Sequence, residues 1–164
     1  MAIIFYISAA VAIISTIMVI TRMNAVHALL YLIVSLLSVA VIFFTLGAPF
    51  IGALEVIIYA GAIMVLFVFV MMMLNMGKQA AEQERNWVNP RMYVGPAILA
   101  AILGVELIYM LTSGSNRAAG FEMIGPKAVG ISLYSSYLIG LELAGMLLLA
   151  GLVGAFHLGR KDED

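Results

Sequence analysis

Hydrophobic residues in this chain neither alternate nor recur every third or fourth position. They come in five long runs separated by short polar interruptions. The runs cover about Ala2–Thr21, His27–Leu46, Ile51–Met76, Met92–Leu111 and Tyr137–Leu158. About 20 residues rising 1.5 Å each match a bilayer core of about 30 Å, so each run is long enough to span a membrane. Backbone groups cannot stay unpaired in lipid, which makes helices the expected form. The pattern predicts an all-α membrane protein with five transmembrane helices. It predicts a single integral membrane domain over residues 1–164, with no internal repeat of the kind that builds inverted transporter halves.

The first run is expected to stay in place as a helix. A cleaved signal peptide carries positive charge ahead of a short apolar stretch. Here the apolar stretch begins at once, and the first cation, Arg22, follows it.

Composition agrees with a lipid solvent. Of 164 residues 65% are apolar and 10% are charged, against about 25% charged in soluble domains. A soluble fold of this size leaves about a third of its unfolded surface exposed, too much for so apolar a chain. With no cysteine, disulfides, thiolate nucleophiles and cysteine-ligated clusters are excluded. The net charge of −1 and the absence of a basic run give no footprint for nucleic acid.

Charge also sets an expected orientation. Five spans divide the cations into Arg22, Lys78, Arg85, Arg91, Arg160 and Lys161 on one side, and Arg117 and Lys127 on the other. Lys and Arg favour the cytoplasmic side, so the C-terminus is expected inside and the N-terminus outside. The connections Gly77–Arg91 and Thr112–Ser132 contain prolines, glycines and mixed charges and read as solvated loops.

Three acids fall inside the runs: Glu55, Glu106 and Glu142. On this topology all three sit about 6–9 Å below the same outer boundary. Acids at such depth face a protein interior or a water-filled cavity, or reach the interface by snorkelling. Glu106, in the otherwise ordinary "ILAAILGVELIYML", reads as the blandest.

Glu55 is the second residue of the stretch "LEVIIYAGAIMVLFVFVMMMLNMG", which carries no other formal charge. Tyr59 follows four positions later, about 40° away on one face of a regular helix. A carboxyl and a phenol can hold a short chain of water between them. The bland alternative is an aromatic packed on a neighbour with its hydroxyl satisfied. Gly61 permits close approach or irregular winding. One extra residue in a turn, a π-bulge, turns everything beyond it by about 100°. Val65, Leu66, Phe67 and Phe69 would then meet a different neighbour.

Other positions are weaker. His27 and His157 lie near the cytoplasmic boundary, where interfacial histidine is a better reading than haem ligation. Met71–Met73 radiate around their helix and read as core or lipid contact. Gly140, Gly145, Gly151 and Gly154 read as positions of close helix packing.

"GALEVIIYAGAIMVLFVFVMMMLN" resembles the third helix of the NuoJ family, the J subunits of bacterial NADH–quinone oxidoreductase (respiratory complex I). The mitochondrial counterpart is NADH dehydrogenase subunit 6. "VHALLYLIVSLL" is similar to that family's second helix, "QERNWVNP" to the loop before its fourth, and "LELAGMLLLAGLVGAFHLGR" to its fifth. The resemblance covers most of residues 1–160 and is weakest in the fourth span and the loop after it.

The resemblance implies a membrane-arm subunit of a proton-pumping complex in the bacterial inner membrane. It implies no catalytic residue, no metal and no cofactor on this chain. NADH, FMN, iron–sulfur clusters and quinone would belong to other subunits. Its partners would be the other membrane-arm subunits and lipid. It implies a π-bulge around Tyr59–Gly61 that opens and closes a water path. Glu55 and Tyr59 would line that path, Gly61 would permit the bulge, and Val65 and Phe67 would block water; Glu142 is a further candidate acid. The alternative is a small subunit of a related cation/proton antiporter or membrane-bound hydrogenase. Asn24-Ala25 stands where relatives often have Asn-Pro, which removes the proline that fixes a helix start. Glu106 matches no family motif, and the tail after Arg160 is short.

Overall fold

The computed structural model describes residues 2–74, 91–112 and 123–160. Loop residues Lys78, Arg85, Pro90 and Arg117 and the tail residue Lys161 lie outside them, as does all of "QERNWVNP". Among the described residues the elements are α1 (Ala2–Thr21), α2 (Ala25–Thr45), α3 (Pro49–Leu54), a π-helical segment (Glu55–Ile63), α4 (Met64–Leu74), α5 (Arg91–Thr112), α6 (Pro126–Tyr134) and α7 (Leu138–Gly159). Five helices among the described residues are long and apolar enough to cross a membrane, and α3, the π-segment and α4 together form the third.

Contacts group the chain into two compact units, Met1–Ile124 and Gly125–Asp164. In the first, α2 is the hub. It packs against α1, α3, the π-segment, α4 and α5, and α1 also touches α5. The face that α1 buries reads Ile4, Ser8, Val11, Ser15, one stripe at helical spacing that alternates apolar and small polar residues. Small residues let helices approach closely inside a membrane. Ile4 and Val11 join Val34 and Val41 of α2 and Leu103 of α5 in one apolar cluster.

Hydroxyls in this seam are mostly satisfied locally. Thr16 Oγ1 and Ser35 Oγ lie 2.9 Å apart across α1 and α2. Ser38 Oγ donates to the Ser35 carbonyl at 2.6 Å, and Thr45 Oγ1 to the Ile42 carbonyl at 2.7 Å. Such back-bonding lets a hydroxyl sit inside an apolar environment without a costly free donor.

The missing proline at residue 25 is compensated. Asn24 caps α2, its side chain accepting from the His27 N–H at 3.1 Å, which fixes the helix start as an N-cap does. His27 is buried, with its ring 4.9 Å from that of Tyr31, and the Arg22 guanidinium lies 5.8 Å from the Tyr31 centroid. At the other end of α2 the chain reverses through Gly47, whose φ of 81° needs a residue without a Cβ. The Gly47 carbonyl accepts from the Ile124 N–H at 2.9 Å.

The second unit holds α6 and α7. The connection expected to run as a loop through Ser132 instead ends in a helix from Pro126. Gly125 stands at its N-cap and Pro126 opens its first turn, where a fixed φ and a missing N–H cost nothing. Within this unit, a Cβ added at Gly140, Gly145, Gly151 or Gly154 would meet no atom. The close packing expected of them is not made by α6.

Candidate functional site

The third span packs against α2 through α3, the π-segment and α4. Near its start, Pro49 opens α3 and Gly52 lies against α2; a Cβ there would come within 3.0 Å of both the Ala40 carbonyl oxygen and the Phe44 ring. Farther on, Met64 opens α4 and is 2% exposed, and α2 is the helix outside its own span that α4 packs against. Gly52 and Met64 are twelve positions apart. In a regular helix twelve positions leave two residues about 120° apart around the axis. Each extra residue accommodated by wider winding removes about 100° of that, so a single one brings them to within about 20°. The π-segment Glu55–Ile63 lies between Gly52 and Met64, and wider winding there turns the two toward one side of the span.

Its end is visible in the backbone. The Met64 N–H is directed to both the Tyr59 and the Gly61 carbonyls, so the five-residue reach of a π-turn overlaps a tight three-residue one. Gly61 lies close to the backbone of the preceding turn. A Cβ there would lie 3.2 Å from the Val56 carbonyl oxygen, five positions back. That carbonyl is the acceptor which i→i+5 winding assigns to residue 61.

The residues singled out from sequence are placed as follows. Glu55 is half-buried and Tyr59 is 47% exposed. Among the described residues no hydrogen bond joins them. In i→i+5 winding the position stacked on Glu55 moves from Tyr59 toward Ala60, so the pairing expected from a regular helix is loosened. Val65 and Phe67 are exposed on α4, just beyond the Met64 anchor. The irregular winding is compatible with the expected bulge but longer, beginning at Glu55 rather than after Tyr59. Glu142 is exposed on α7 in the second unit.

Glu106 departs from its expectation. It is 7% exposed and accepts a hydrogen bond of 2.7 Å from Ser8 Oγ. It therefore faces the interior of the first unit and does not reach an interface. Depth along the helix hid this, whereas the helical face would have disclosed it. Leu99, Leu103, Glu106 and Met110 share one stripe of α5, and three of the four are apolar.

The family described as NADH-ubiquinone/plastoquinone oxidoreductase chain 6 matches residues 15–158. The chain belongs to this family. It is 59% identical over 159 residues to NADH-quinone oxidoreductase subunit J of Pseudomonas aeruginosa, covering 96% of each chain. Against subunit J of Escherichia coli K12 it is 55% identical over 159 residues, covering 97% of this chain and 86% of that one. Subunit J of Buchnera aphidicola from Schizaphis graminum is 49% identical over 160 residues, covering 98% of each. The five long apolar helices among the described residues are in keeping with a multi-pass membrane subunit.

Proposed function

We propose that this chain is a membrane-arm subunit of a proton-pumping NADH–quinone oxidoreductase, with a third span that gates a proton path. Family membership and the names of its relatives support the complex. The observation that carries the gate is the π-segment held between the Gly52 and Met64 anchors. On this reading the chain is a non-catalytic subunit of the bacterial inner membrane, its N-terminus outside. NADH, FMN, iron–sulfur clusters and quinone are held by other subunits, and its own contacts are with membrane-arm subunits and lipid.

The gate works by winding. Taking one extra residue out of the π-segment turns α4 by about 100° relative to α3. Val65 and Phe67, exposed on α4 in the π-wound form, are carried around with it. Apolar side chains such as these exclude water, while the Glu55 carboxyl and the Tyr59 phenol can donate and accept hydrogen bonds to it. Rotation thus exchanges a wetted surface for a dry one beside the two polar groups. The free energy comes from quinone reduction elsewhere in the complex, which favours one winding over the other.

Tyr59→Phe and Glu55→Gln in the assembled complex test the assignment. Both are expected to lower quinone reduction and proton pumping while NADH oxidation by an artificial acceptor survives. Wild-type pumping in both variants would remove Glu55 and Tyr59 from the path.

A further inference from the structure

Glu106 has no part in that gate, and its surroundings have a chemistry of their own. One carboxyl oxygen, Oε2, accepts from Ser8 Oγ across α1 and α5. The other, Oε1, is sealed from solvent and has no protein partner among the described residues. Buried carboxyl oxygens are almost always hydrogen-bonded, to protein or to ordered water. The side chain is more than nine-tenths buried.

We propose that Glu106 and Ser8 form a water-binding site between α1 and α5, closed along the membrane normal and separate from the Glu55–Tyr59 path. A serine hydroxyl donates once and accepts twice. Ser8 spends its proton on Oε2, which leaves its lone pairs available. One water can donate its two protons to Glu106 Oε1 and Ser8 Oγ. This supplies the two polar partners that a buried water needs at minimum.

Apolar side chains close the site on both sides. Along α1, Ile4 lies one turn before Ser8 and Val11 one turn after; both are buried. Along α5, Leu103 lies one turn before Glu106 and Met110 one turn after. Ile4, Val11 and Leu103 belong to one apolar cluster, and Met110 packs against it. Ser15, the next polar residue on the α1 stripe, is two turns or about 10 Å from Ser8, with Val11 between them. The site fastens α5 to α1 by a hydrogen-bonded pair and a shared water, and its nearest neighbours along those two helices are apolar.

The test uses the whole complex. A density map of the purified enzyme, fine enough to show ordered water, is expected to place one within hydrogen-bonding distance of both Glu106 Oε1 and Ser8 Oγ. A dry Oε1, or one bonded to another subunit, overturns the water site. Glu106→Gln keeps the shape and an acceptor for Ser8 but cannot exchange a proton. Its ratio of protons pumped to NADH oxidised is expected to equal the wild type's. A lowered ratio overturns the closed character of the site. The outcome is independent of the gate, because Glu55→Gln is read in parallel: a gate that fails leaves both variants at wild-type pumping and the water still in place.

Discussion

A single added carbon separates two of the glycines in their consequences. At Gly61 it would press on the Val56 carbonyl oxygen at 3.2 Å, whereas at Gly104 it would meet nothing within 4 Å. Gly61→Ala is therefore expected to disfavour the π-wound form and slow NADH-driven quinone reduction. Gly104→Ala, an exchange that ordinarily favours a helix, is expected to leave turnover unchanged. Steady-state turnover in membranes normalised to assembled complex checks the pair. Gly95 is a third case. A Cβ there would collide with the Tyr31 hydroxyl, and Tyr31 is buried under the His27 ring. Gly95→Ala is expected to cost about 1–3 kcal/mol as an overpacked contact, read as a lower melting temperature of the purified complex. At this scale the sequence was informative about types and poor about faces. Glu55, Tyr59 and Gly61 stood out because a lone acid, phenol and glycine interrupt an apolar run. Glu106 interrupts one too, but its partner Ser8 is a residue that serves many helices without special role, and nothing local marks it.

Among the elements, the third span shows what local pattern can and cannot carry. Its existence and length follow from uninterrupted apolarity, as do the ends of α1. Its winding depends on where α2 holds it, through Gly52 and Met64, and a tertiary constraint of that kind leaves no periodic trace in one chain. The short helix α6 escaped for the opposite reason: nine residues between polar flanks give too little pattern to set against a proline and several glycines. The anchoring argument predicts a graded series at Met64. Met64→Leu conserves volume and is expected to cost under about 1.5 kcal/mol. Met64→Ala leaves a cavity and is expected to cost about 2–5 kcal/mol. The alanine variant also loosens the packing where α4 begins, so quinone reduction is expected to fall further than the yield of assembled complex does. Parallel changes in the two quantities would mean that Met64 fills space without setting the winding.

For the whole molecule the unexplored variable is orientation. The chain has no cysteine, so a single introduced thiol reports on its own position without background from this subunit. Met23 lies in the turn between α1 and α2 and is 97% exposed. Met23→Cys is expected to react with a membrane-impermeant thiol reagent in inside-out vesicles and to be protected in intact spheroplasts, as an outside N-terminus requires. The reverse pattern would invert the assigned topology and place the cation-rich side of the chain outside.

The Ser8–Glu106 hydrogen bond joins residues 98 positions apart, which has a consequence for the order in which the protein is made. The α1–α2 hairpin is complete long before the ribosome reaches residue 106. An acid within a newly made span raises the cost of inserting it. Ser8, waiting on the finished hairpin, offers the first hydrogen bond that offsets this. The hairpin is therefore expected to help the fourth span insert. Ser8→Val is expected to raise the share of newly synthesised chains whose fourth span fails to enter the membrane, measured by protease protection of the segment beyond it.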